Sequence, residues 1–215
     1  MLRKEGSSFL IDGYPRAIAV KEVSDPIAKE MQTIALHRSD LNRCKDFLDE
    51  LKALDLQKFP VGARAIWVAT LVTFYKCFQQ SHARDFSLDK NQIFGSLQGA
   101  LDVFIYFQGL RNKHVVHDEN SYTQVQTVLV LNPKDDQKHV ADILSIVFNA
   151  DTANAEHIRS FSPLISTAFS WVENQHNSLI AQLVTSYEGK VYSELEALPE
   201  PTLTVPTSNE VGRKR

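Results

Sequence analysis

Ser24 to Leu51 reads SDPIAKEMQTIALHRSDLNRCKDFLDEL, and its spacing decides the class of fold. Asp25 offers an N-cap carboxylate and Pro26 a fixed φ at the first helical position, so a helix opens here. Ile27, Met31, Ile34, Leu41, Cys44, Leu48 and Leu51 then recur three, four or seven residues apart along one stripe. Lys29, Glu30, Arg38, Asp40, Lys45 and Asp49 take the opposite face. That is an amphipathic helix lying on a core.

Downstream, Pro60 starts a second helix expected to run to about Ser81, apolar nearly all round from Ala65 to Tyr75 and therefore central. Ser87-Leu88-Asp89-Lys90 caps a short helix that runs toward Gly95. A third long helix is expected from about Ser96 to His117, with Leu97, Leu101, Phe104, Phe107 and Leu110 near one stripe and Asn120 suited to the left-handed cap. Thr123 to Leu131 is rich in β-branched residues and stops at Asn132-Pro133, which reads as a strand with Lys134 to Lys138 as a loop tip. Val140 to Phe148 fits a returning strand or a short helix equally well. Ala153 to about Leu198 is helical again, with Ile158, Phe161, Ile165, Phe169, Val172, Leu179, Leu183 and Tyr187 on its stripe. Pro163 is expected to kink or split it.

The fold class expected is all-α: a helical bundle of four to five main helices, with a small β-hairpin insertion before the last helix. Residues 1–25, with the turn signal Asp12-Gly13-Tyr14-Pro15, form an N-terminal arm. Residues 26–198 form the helical domain, interrupted by the β insertion at about 122–148. Residues 199–215 form a Pro-rich, disordered tail ending in Arg213-Lys214-Arg215. There is no internal repeat.

At 215 residues and 24.3 kDa the chain can bury a core without disulfides or structural zinc. Its 2 cysteines, Cys44 and Cys77, lie far apart and form no CxxC pair, which fits a reducing compartment. No apolar run reaches membrane-spanning length and residues 1–6 lack a signal-peptide core, so the expectation is a soluble cytoplasmic protein without membrane partners. A net charge of -3 gives no footprint for duplex nucleic acid, though it leaves room for a local pocket handling one or two phosphates.

Most catalytic signatures are missing from the sequence: GxGxxG, Walker A, GxSxG and HExxH. Glu173 and His176 make one Glu-x-x-His pair where a di-iron bundle needs two, so they read as a solvated helix face. Cys77 reads as core filler, and His37, His82, His139 and His157 have no neighbours forming a ligand set.

Arg111-Asn112-Lys113-His114-Val115-Val116-His117 differs, because it packs a guanidinium, an amide, an ammonium and two imidazoles into seven residues behind an apolar helix. On a continuing α-helix Arg111, His114 and His117 would share a face. An Arg presents a fixed fork to phosphate oxygens and an imidazole exchanges a proton near neutral pH, which together suffice for metal-free phosphodiester cleavage. Two other readings stand beside it. Cations in a last helical turn complement the helix dipole and need no function. His114, His117 and Asp118 are also metal ligands by type, with no obvious fourth.

The phrase Leu-Arg-Asn-Lys-His-Val-Val-His-Asp, from Leu110 to Asp118, resembles the HEPN superfamily, in particular its abortive-infection branch. That signature is an Arg, a following polar residue and a His after four to six intervening positions, late in a long helix of an all-α bundle. Here Arg111 and His117 enclose five residues and Asn112 fills the polar slot. The resemblance implies a metal-independent endoribonuclease without a cofactor, a toxin or antiviral defence effector acting on tRNA or messenger RNA. Carried over, Arg111 and His117 take the catalytic positions with Asn112 in support; His114 has no family counterpart, and by residue type alone Lys113 and His114 are expected to face the substrate. It also implies a homodimer and a cognate antitoxin or regulatory protein. HEPN toxins controlled by a nucleotidyltransferase often carry a Tyr two residues after the motif His. Glu119 stands there, and the nearest later tyrosine is Tyr122.

Two alternatives compete with the ribonuclease: a non-catalytic HEPN module binding a nucleotide, RNA or a protein, and a structural helical dimer in which Arg111 and His117 only cap a helix. Asp118, Glu119 and the ordinary pI near 6.2 favour the binding module, since an RNA cutter is expected to be more basic.

Overall fold

A computed structural model describes residues 2–5, 8–11, 13–14, 17–117, 121–202 and 208. The expected cap at Asn120, the metal-ligand candidate Asp118, residues Asp12 and Pro15 of the first turn signal, and most of the expected disordered tail lie outside them. The elements in chain order are β1 (Leu2–Glu5), β2 (Ser8–Ile11), α1 (Pro26–Ala53), α2 (Pro60–Lys76), α3 (Lys90–Phe94) and α4 (Ala100–Leu110). A π-helical turn (Arg111–Val116) continues α4, and β3 (Thr123–Leu131), β4 (Val140–Asn149), α5 (Ala155–Glu188) and α6 (Tyr192–Glu196) follow. The described chain is therefore mainly helical, with an antiparallel hairpin before the last long helix. Among the described residues no helix is long and apolar enough to cross a membrane.

The backbone divides into two compact units, one of residues 1–36, 81–86 and 172–215 and one of 37–80 and 87–171. In the first, β1 and β2 pair antiparallel, with Leu2 opposite Ile11, so part of the expected arm is a hairpin. Asp25 caps α1 as its sequence position requires: Oδ1 accepts the Ala28 N–H at 2.8 Å. Its other oxygen, Oδ2, accepts from the Tyr187 hydroxyl at 3.0 Å. The Glu22 N–H donates to the Pro199 carbonyl at 2.7 Å, and the Asp85 N–H to Thr33 Oγ1 at 3.3 Å.

The second unit is built around α2. Trp67, Leu71, Phe74 and Tyr75 are buried along one face of α2, whereas Ala65 and Val72 of the run expected to be covered all round are exposed, and Trp67, Phe74 and Tyr75 meet Phe104, Phe107 and Phe161. Edge-to-face contacts join them, with ring centroids 5.5 Å apart for Trp67–Phe161 and 5.0 Å for Tyr75–Phe104. The buried Tyr75 hydroxyl donates to the Phe104 carbonyl at 2.7 Å, which satisfies it without water.

Several boundaries and faces differ from the sequence reading, each for a local reason. α2 ends at Lys76 rather than Ser81, and the chain turns through Cys77, whose carbonyl receives the Leu88 N–H at 2.9 Å. α4 starts at Ala100, not Ser96, because Gly99 adopts φ 74°, a left-handed conformation that breaks a helix and costs glycine little. Leu97 is consequently exposed rather than on the buried stripe. Asp40 was expected on the polar face of α1 but is buried, with Lys76 Nζ 3.0 Å from Oδ2; the lysine stem carries its charge to the carboxylate. β4 is a strand, which resolves the ambiguity of Val140 to Phe148. α5 runs unbroken through Pro163, whose missing N–H is tolerated between turns anchored by buried Phe161, Leu164 and Ile165, and it stops at Glu188 before Gly189.

Candidate functional site

The Arg111–His117 cluster sits where α4 gives way to the π-helical turn, against α2. A π turn closes i→i+5 hydrogen bonds, which widens the helix and re-aims its side chains. Such turns are frequent at functional sites. The expected shared face is thereby lost. His117 lies beyond the turn with φ -135° and ψ 143°, an extended backbone that takes its side chain off the helix into an exposed position. Among the described residues no hydrogen bond joins Arg111 to His117.

Arg111 itself is held firmly. Its Nη1 donates to Asn112 Oδ1 at 2.8 Å, and Nη2 to Gln79 Oε1, beyond the end of α2, at 3.4 Å. Nε is buried and has no partner among the described residues. Asn112 thus helps to orient the guanidinium. Lys113 is exposed. His114 is half-buried, its Nδ1 shielded and likewise without a partner, and its ring lies 5.3 Å from that of Tyr122. The motif is therefore split: Arg111, Asn112 and His114 are packed into the protein surface, while Lys113 and His117 stand out in solvent.

Beside it runs a hydrogen-bonded chain that the sequence did not reveal. The Tyr122 and Tyr106 hydroxyls are 3.1 Å apart, and Tyr106 reaches His157 Nε2 at 3.0 Å. His157 Nδ1 lies 2.9 Å from the Thr152 carbonyl. The ring stacks on Trp67 with an interplanar angle of 19°, and the His157 N–H donates to Asn154 Oδ1, the N-cap of α5, at 2.9 Å. Burial, then the hydrogen bond with Tyr122, pushes the Tyr106 phenol up to about 12. In sequence the only trace of this chain was Asn154-x-x-His157, a cap and its third helical residue, which says nothing of Tyr106 or Tyr122.

Among the described residues no three His, Cys, Asp or Glu side chains gather as a metal would need. Cys44 and Cys77 are both buried and form no disulfide among the described residues, and burial pushes the Cys44 thiol well up from its ordinary range. No protein-family model, curated protein or solved structure was found to match this chain.

Proposed function

We propose that this protein is a metal-independent, HEPN-type endoribonuclease, acting as a toxin or antiviral defence effector in the cytoplasm. The helical bundle of four to five main helices and the homodimer that the resemblance implies belong to this proposal. So does a cognate antitoxin or regulatory protein. The observation that carries the reading is Arg111: a half-buried guanidinium, braced by Asn112 and Gln79, with a buried Nε that has no partner among the described residues, at the entry to a π-helical turn. A buried donor left unpaired costs free energy and calls for a reason, and an anionic phosphate oxygen satisfies it.

The chemistry follows from the residue types. His117 takes the proton from a ribose 2′-hydroxyl, and the oxygen attacks the adjacent phosphorus. Arg111, with Lys113, stabilises charge on the phosphorane oxygens. The 5′-oxygen leaves with a proton, giving a 2′,3′-cyclic phosphate and a 5′-hydroxyl. In-line displacement needs that proton donor opposite the base, which one imidazole cannot supply. His117 of a second copy supplies it, with His114 as the within-chain alternative.

Product ends test this reading. A tRNA pool treated with the protein should acquire cyclic phosphate and 5′-hydroxyl ends, and single-stranded DNA should remain intact. Cut DNA, or RNA ends bearing a 3′-hydroxyl, would exclude 2′-hydroxyl attack.

One observation favours the second reading, a non-catalytic nucleotide-, RNA- or protein-binding module: His117 is exposed and makes no hydrogen bond to Arg111 among the described residues. That module would bind tRNA without cutting it.

A further inference from the structure

Within the second unit, the end of α1 and the first two turns of α5 line a cavity of about 530 Å³. Small-molecule sites run from roughly 300 to 1,000 Å³ and combine apolar walls with a few placed polar groups. Leu51 of α1, Leu54 and Leu56 just beyond its end, and Ile158 of α5 supply the apolar wall. Lys52 and Arg159 also line the cavity; both are exposed, which puts their charges at its rim. No acidic residue lines it among the described residues. Lys52 lies 3.3 Å from Asp49, but both side chains stand in solvent, where such a pair holds weakly. Arg159 forms no ion pair among the described residues. The remaining polar group is Ser162, whose Oγ is buried and has no hydrogen-bond partner among the described residues. Ser162 follows Arg159 by three residues, so the two share a face of α5.

We propose that this cavity binds a medium-chain carboxylate. Arg159, Ser162 and Lys52 take the anionic head, and the leucines and Ile158 take the acyl chain. A buried hydroxyl left unpaired calls for a partner, and beside two cations that partner is an acceptor carrying negative charge. The leucine and isoleucine wall offers no side-chain hydrogen bond, so the body of the ligand is apolar. From Ser162 back to Ala155, which also lines the cavity, the α5 wall spans two helical turns, about 10 Å, the length of one medium acyl chain. None of the residues of the Arg111 cluster lines this cavity, so the inference stands whether or not the chain cuts RNA.

Calorimetric titration of the full chain with sodium hexanoate, octanoate and decanoate, each below micelle-forming concentrations, tests it beside decylamine. The expected result is one decanoate per chain, affinity rising by up to about fourfold per added methylene, and far weaker binding of decylamine. Arg159→Glu should weaken decanoate by at least about fivefold and Ser162→Ala by about tenfold. Ala155→Trp places a large ring in the cavity from an exposed position and should block binding. Lys134→Glu makes the same charge change at an exposed residue outside the cavity and should bind as wild type does. The helical circular dichroism of each protein should be unchanged throughout. Absence of decanoate binding overturns the proposal, as does decylamine binding as tightly or an affinity indifferent to chain length. Undiminished binding in both Arg159→Glu and Ala155→Trp would place the site elsewhere and overturn it too. Uptake of many decanoates per chain with loss of helical signal would show detergent action in place of a site.

Discussion

The Tyr106 hydroxyl lies 3.0 Å from His157 Nε2, joining residues 51 positions apart in the chain. The contact also fixes a tautomer. A carbonyl only accepts, so the 2.9 Å contact to Thr152 puts the proton of a neutral His157 on Nδ1. Nε2 must then accept from Tyr106, whose oxygen in turn accepts from Tyr122. The hydrogen bonds run one way, from the root of the β3–β4 hairpin through α4 to the start of α5. Tyr122 thereby fastens the chain just after the Arg111–His117 cluster.

Removing the middle link should loosen both ends. Tyr106→Phe keeps the ring and deletes two hydrogen bonds, at a cost of about 1 kcal/mol each at most in so exposed a place. Urea unfolding should register a loss of about 1–2 kcal/mol. Amide exchange should rise at Tyr122 and around His157 while α2 stays protected. A uniform rise across α2 would show that Tyr106 is part of the core rather than a tether.

Tyr106 should also make stability depend on pH at the alkaline end. Its phenol is pushed up to about 12, against about 10 for an unfolded tyrosine. The folded state therefore holds this proton more tightly than the unfolded one. The contribution is fully present below about pH 10 and is lost as pH rises toward about 12. Near-ultraviolet titration of wild type minus Tyr106→Phe should show a phenolate appearing only near the top of that window. A difference titration centred near pH 10 would mean the relay is not formed in solution.

Asp25 serves two masters, capping α1 with one oxygen and receiving Tyr187 with the other. Asp25→Ala loses both contacts, and the cap alone should cost about 1 kcal/mol by urea unfolding. Tyr187→Phe, which keeps the cap, should cost less than Asp25→Ala. Equal losses in the two variants would mean that the cap contributes nothing.

Where one helix stripe or one strand pattern carried the information, the sequence was legible. Asp25-Pro26 opened α1, Asp89 capped α3 through the Asn91 N–H, and Thr123–Leu131 formed β3. What escaped depended on partners distant in the chain or on backbone geometry without a sequence code. Asp40 looked solvated because Lys76, its counter-charge, is 36 residues away. His157 looked isolated because Tyr106 and Trp67 reach it only through the fold. The π turn was invisible: a seven-residue motif read at α-helical spacing placed Arg111, His114 and His117 on one face, and an extended His117 removed one of them. The cluster itself, with Asn112 beside Arg111, was legible from residue types alone.

The central claim is that Arg111 and His117 cut RNA without a metal. Its most direct test incubates purified protein with total RNA and a tRNA pool in excess EDTA, beside His117→Ala and Arg111→Ala. The account predicts cleavage by wild type, with the rate falling on the order of 10²–10⁴-fold in His117→Ala and ~10²–10³-fold in Arg111→Ala. Both variants should keep the wild-type helical signal. Absence of cleavage by wild type, or cleavage undiminished in either variant, would contradict it.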